Sequence, residues 1–187
     1  ETPRPTPGAA ARLETDLDVR HAPRRSRGPE GRPSGSLHPM EHMDRLAEAE
    51  RRIGHRFTDR DLLAKALRHA SSADDRLESN ERLEFLGDAV LGVIVCCELY
   101  DRFPDLLEGE LTKIKSNVVS RRVCAEIAEE LALGPLLELG KGMNGRGEMP
   151  PSLLAPVIES IIGALHEDAG FERARQFVLE QIRRAHV

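Results

Sequence analysis

The sequence predicts an all-α fold, a compact bundle built around one buried central helix. Three observations carry this. Apolar residues recur every three or four positions in several separate stretches, as they do along one face of a helix. Residues 80–99 turn apolar nearly all round after their first two turns, which suits a helix at the middle of a bundle. Pro104 and the pair Gly134-Pro135 then fall where helices should stop.

Taken in order, residues 1–39 stand apart. They hold seven of the chain's twelve prolines and almost no large apolar residue. Such a segment cannot bury enough surface to offset the entropy of ordering, so a disordered Pro/Arg-rich tail is expected. Its arginines (Arg20, Arg24, Arg25, Arg27, Arg32) suit RNA phosphates or a transit peptide, although Glu14, Asp16, Asp18 and Glu30 are unwelcome in the latter. Because the chain opens on Glu1, it reads as a fragment or as one with a misassigned start, for which Met40 or Met43 would serve.

Residues 43–53 and 59–69 read as two helices, the first apolar through Leu46, Ala49 and Ile53, the second through Leu62, Leu63, Ala66 and Leu67. Thr58 or Asp59 is positioned to cap the second. His69 reads as a turn or core histidine, and 71–79 as a polar loop. Beyond the central helix, residues 108–117 turn Leu111, Ile114 and Val118 inward and Lys113 and Lys115 outward. Residues 120–133 are amphipathic through Val123, Ile127 and Leu131. The Gly-rich run 140–147 lacks the lysine and hydroxyl of a phosphate-binding P-loop and reads as a mobile loop. Two last helices are expected at 152–165 and 171–182.

The chemistry is concentrated in the central helix. At about 100° per residue, Glu81, Glu84 and Asp88 fall within roughly 60° of one another. No Lys or Arg of that helix shares their side. Asn80 as a cap, with acids favoured in a first turn, accounts for Glu81 and Glu84. It does not account for Asp88, two turns in. Carboxylates without a partner in the sequence suggest a hard divalent cation bound through oxygen. Glu159 is the one charge in an apolar helix, and a buried carboxylate needs a partner too. Phe85 lies beside the acids rather than on the core stripe, which suggests a partner surface.

Composition sets limits. The formal charge is −5 over 187 residues, and the first 39 residues carry seven Arg against five acids, so the remainder is more acidic still. An acidic domain that meets RNA must concentrate its positive charge locally or neutralise its acids with metal. Lys113, Lys115, Arg121 and Arg122 are the densest basic group after the tail and the candidate RNA-binding surface; a solvated face is the alternative. One Tyr and no Trp argue against stacking on single-stranded bases. Cys96, Cys97 and Cys124 show no ligand spacing and read as reduced core thiols of a cytoplasmic protein. No apolar run reaches the roughly 20 residues of a membrane span.

The run Asn80-Glu81-Arg82-Leu83-Glu84-Phe85-Leu86-Gly87-Asp88-Ala89-Val90-Leu91 resembles the signature of the ribonuclease III family. The likeness extends to Ile53-Gly54-His55-Arg56-Phe57, His69-Ala70-Ser71, Tyr100-Asp101-Arg102-Phe103-Pro104, Glu108-Gly109-Glu110-Leu111, Leu139-Gly140-Lys141-Gly142 and Glu159-Ser160-Ile161-Ile162-Gly163. It implies a ribonuclease III-like domain over 40–187, without the double-stranded-RNA-binding domain that commonly follows. It further implies an endonuclease cutting double-stranded RNA to 5′-phosphate products, as a homodimer into which Phe85 of each subunit inserts. Glu84 and Glu159 would hold Mg²⁺, or Mn²⁺ in its place. Asp88 and Glu159 would be catalytic, with Glu81 and Glu108 as supporting acids. Two departures are visible. Pro156 stands where the family has an Asp, and Ala70 where it has an Arg. The alternative reading is therefore a catalytically weakened or inactive relative that binds RNA or plays a structural part.

Overall fold

The computed structural model describes residues 39–140, 143 and 149–185; the expected tail, up to residue 38, and most of the Gly-rich run lie outside the described residues. Among those described there are six α-helices and no strand: α1 (Pro39–Ile53), α2 (Arg60–Ala66), α3 (Glu81–Arg102), α4 (Glu108–Val118), α5 (Arg121–Glu130) and α6 (Pro151–Ala185). Short 3₁₀ turns at Arg76–Glu78 and Gly134–Leu136 join them. No helix among the described residues is long and apolar enough to cross a membrane.

Each element follows from its residues. α1 buries Leu46, Ala49 and Ile53, as its spacing predicts. It also buries Glu50, whose carboxylate accepts from Arg60 Nε (3.1 Å) and the Phe57 amide (3.0 Å). Asp59 caps α2, its side chain accepting the Asp61 amide at 3.0 Å. Asn80 stands at the N-cap position of α3, but its side chain does not cap the helix. Asn80 is buried in helical geometry without a side-chain cap bond. Its own amide instead donates to the Arg68 carbonyl (2.9 Å).

The two expected C-terminal helices form one run, broken at Gly170 (φ 80, ψ 176), where only glycine reverses the chain without strain. Asp168 fixes this break. Its carboxylate accepts from the amides of Thr58 (3.2 Å) and Asp59 (2.8 Å) and lies 2.8 Å from His55 Nε2. Pro156 sits six residues into α6 rather than in its first turn, yet the backbone stays helical there.

α3 and α6 share the most extensive packing of the molecule, and α5 packs against α6 as well. The core is Leu83, Val90, Leu91, Ile94 and Leu99 of α3 against Ile158, Ile161, Ile162 and Leu165 of α6 and Val123, Cys124 and Ile127 of α5. The apolar circumference of α3 is divided. One side is this core; the other carries Phe85, Val93 and Tyr100 at 82%, 51% and 75% exposure. Cys96 and Cys97 are exposed on that side, which corrects their reading as core thiols; only Cys124 is buried. Composition alone does not distinguish a helix buried all round from one with a bare apolar face.

Candidate active site

The site is made by two glycines. A Cβ at Gly87 would stand 2.6 Å from the Glu159 carbonyl carbon, 2.9 Å from the Gly163 amide nitrogen and closer still to the Glu159 carbonyl oxygen. A Cβ at Gly163 would stand 3.1 Å from the Leu83 carbonyl carbon and 3.2 Å from the Gly87 nitrogen. Hydrogen in place of a methyl at both positions lets the α3 and α6 backbones touch. That contact brings Glu84 and Asp88, which flank Gly87, beside Glu159.

The electrostatics record the result. Burial, then the charge of Asp88, then that of Glu84 push the Glu159 carboxyl up to about 7, against a smaller opposing pull from Arg121. Burial also raises Glu84; Arg121 opposes this, and Glu81 and Asp88 add to it. Cys124, one layer beneath, is pushed up to about 12 by burial and by the charges of Glu159 and Asp88. Three carboxylates thus share a small volume with less positive charge than they need. They do not form a ready-made cage: among the described residues no group of three or more His, Cys, Asp or Glu side chains is gathered closely enough to hold a metal ion.

The sequence reading did not connect two cations with these acids. Glu81 is ion-paired with Arg76, from the 3₁₀ turn before α3, and this pairing lowers its carboxyl. Arg121 is felt by both Glu84 and Glu159. Counting along one helix sees neither, because both come from other elements. Glu81 is therefore an ordinary surface ion pair rather than an orphaned acid. Glu108 begins α4, exposed, with the Thr112 hydroxyl donating to it at 2.7 Å; no contact joins it to the three inner acids.

The basic residues divide among different settings. Lys113 is exposed, and the Lys115 ammonium lies over Gly92, 3.7 Å from where a Cβ would stand. Arg122 is paired with Glu126 at 2.9 Å. His69 has the structural role expected of it, its Nδ1 accepting the Ser71 amide (3.1 Å) while its own amide donates to the Glu138 carbonyl (3.0 Å). Gly140 closes the same corner, its amide donating to Ser71 Oγ at 3.0 Å.

The described residues thus form an all-helical domain with acidic side chains set beside one another where two helices cross. A Ribonuclease-III-like family model matches residues 59–185, and the chain belongs to that family. It is 49% identical over 137 residues to Ribonuclease 3 of Rhodopirellula baltica, covering 72% of this chain and 52% of the relative. Ribonuclease 3 of Symbiobacterium thermophilum is 44% identical over 132 residues, covering 70% and 56%. The chain spans about half the length of these curated relatives. In structure it is similar to the nuclease domain of ribonuclease III from Campylobacter jejuni, with a TM-score of 0.71 and 38% identity over 75% of this chain and 97% of that one. That protein is described as structurally flexible in a region involved in dimer formation.

Proposed function

We propose that this chain is the nuclease part of a ribonuclease III-type endoribonuclease that cuts double-stranded RNA with Mg²⁺ and leaves 5′-phosphates. The support for the reading is the backbone contact at Gly87 and Gly163, which sets Glu84 and Asp88 beside Glu159 at the α3–α6 crossing, where burial and the neighbouring carboxylates push the Glu159 carboxyl up to about 7. An all-oxygen, anionic donor set fits a hard divalent ion. Mg²⁺ commonly binds through one or two carboxylates and several waters, so the lack of a preformed cage does not count against it. Glu84 and Glu159 are the residues to hold it. When bound, Mg²⁺ activates water and offsets charge on the phosphate.

The chain's own residues do the rest. Asp88, exposed at the rim, orients the water and takes its proton as the oxygen adds to phosphorus and the bond to the 3′ oxygen breaks, the departing 3′ oxygen taking a proton from solvent. Lys113, Lys115, Arg121 and Arg122 supply phosphate contacts. These are few, so affinity is modest and falls steeply with salt.

The exposed apolar side of α3 supports a homodimer. Phe85, Val93, Cys96 and Tyr100 lie within about 80° on one face of the helix. A contiguous stripe of this kind marks an interaction surface. Two copies facing each other through it would present two centres, one for each strand of the duplex.

Pro156 favours a second reading, a relative that binds duplex RNA and cuts it slowly or not at all. Incubating purified protein with long duplex RNA, with Mg²⁺ and with EDTA, separates the two. Cutting with Mg²⁺ alone supports the enzyme, and duplex binding without cutting at any Mg²⁺ concentration supports the second reading.

A further inference from the structure

We propose that the cavity between α3, α4 and the C-terminal half of α6 binds a small amphipathic anion, an acyl chain that ends in a carboxylate. This site is separate from the acidic centre. Its α3 residues begin at Val95, about 10 Å along the helix from Asp88.

Shape comes first. The cavity holds about 500 Å³, within the roughly 300–1,000 Å³ usual for small-molecule sites. Its walls are Val95 and Leu99 of α3, Ile114 and Val118 of α4, and Leu179 and Ile182 of α6. It exists because α4 packs against α3 but has no extensive contact with α6. The three helices therefore part, and Ile114, Val118, Leu179 and Ile182 are left only partly buried. At about 100° per residue, Glu98 on the cavity side stands roughly 160° round α3 from Cys96 on the bare apolar face. The cavity is thus distinct from the surface that supports the homodimer.

The polar lining comes second. Four charged residues complete the wall, Glu98, Arg102, Arg175 and Arg183. The Glu98 carboxylate lies 3.4 Å from both Arg102 Nε and Arg175 Nη2, so this lining already seats one carboxylate between two guanidiniums. Arg175 also meets Glu172, at 3.3 Å. Arg183 is exposed and faces no carboxylate of the described residues; its Nε donates to the Leu179 carbonyl at 3.0 Å, one turn back on its own helix. That bond holds the Arg183 stem against the wall and leaves its terminal nitrogens to a ligand. A planar guanidinium fork suits a carboxylate.

Charge complementarity comes third. Arg102, Arg175 and Arg183 stand against Glu98 and Glu172, an excess of one positive charge beside apolar walls. A single anionic head with an apolar tail satisfies both features at once. An inorganic anion would leave the walls wet, and an uncharged apolar molecule would leave Arg183 without a partner.

The test is calorimetry on the full chain with decanoate, with decanamide (the same tail without the charge) and with acetate (the same head without the tail). Wild type should bind decanoate at least tenfold more tightly than decanamide, and acetate not measurably. Arg183→Gln, a change at the exposed surface that needs no repacking, should weaken decanoate about tenfold and leave decanamide unchanged. Arg183→Lys keeps the charge and should recover most of the loss. Leu179→Trp fills the cavity from its wall and should abolish binding of both long-chain ligands. No decanoate binding by wild type, equal affinity for decanoate and decanamide, or decanoate binding that survives Leu179→Trp would overturn the inference.

Discussion

Replacing Gly87 by alanine is a sharp perturbation of this architecture, because it adds one methyl group where two backbones touch. The new Cβ would lie 2.6 Å from the Glu159 carbonyl carbon, against an ordinary contact of about 3.4 Å, and would be tighter still on the oxygen. Neither neighbour is a flexible side chain, so α3 and α6 must part by about an ångström or more. Overpacking of this kind costs about 1–3 kcal/mol, while alanine recovers up to about 1 kcal/mol through its better helix propensity. The net loss should be about 1–2 kcal/mol, or roughly 2–8 °C in melting temperature for a domain of this size. Activity should suffer more than stability. Glu159 sits on the displaced backbone, and a misplacement of about 1 Å at a catalytic centre costs about 100-fold. Thermal melts followed by circular dichroism, with cleavage assayed well below the transition, separate the two effects. A Gly87→Ala protein with wild-type melting and wild-type rate would refute the close crossing.

Three further outcomes follow from the same geometry. The metal-free protein should lose stability as pH rises from about 4.5 to about 7, because Glu159 holds its proton more tightly folded than unfolded and stability falls wherever the native state binds the extra proton. Denaturant curves across that range should show the slope in wild type and its absence in Glu159→Gln; parallel curves would contradict it. Phe85→Ala should weaken self-association by at least tenfold with helicity intact, since about 1.5–3 kcal/mol of apolar burial is lost on each subunit. Sedimentation that finds a monomeric wild type, or an unaffected variant, counts against the α3 interface. Asp168→Ala removes the acceptor of the Thr58 and Asp59 amides and of His55 at the Gly170 break, and should destabilise by about 2–4 kcal/mol in urea.

Much of this was legible in the sequence. The apolar periods located each helix to within a few residues, and the spacing of Glu81, Glu84 and Asp88 put three acids on one side of α3. Phe85 stood out as an exposed apolar residue and is one. What was not legible came from other elements. Arg76 pairs with Glu81 from a 3₁₀ turn, and the charge of Arg121 acts on Glu84 and Glu159 from α5; no periodicity within α3 reports either. The role of Gly87 had a signal, an isolated glycine within an apolar helix, which often marks close packing. Its partner Gly163 is 76 positions away, so the crossing itself could be seen only in the fold. Cys96 and Cys97 misled for a related reason. Apolar composition predicts burial, but a face that awaits a partner has the same composition as one that already has its cover.

As proposed above, Glu84, Asp88 and Glu159 form a Mg²⁺-dependent cleavage centre. It is tested most directly by the rate of cutting of a long duplex RNA by wild type and by Glu159→Gln across a Mg²⁺ titration. The account predicts Mg²⁺-dependent cutting by wild type and a loss of at least about 100-fold in Glu159→Gln, with the variant's fold and self-association unchanged. Equal rates for the two proteins, or cutting by wild type that persists in EDTA, would contradict it.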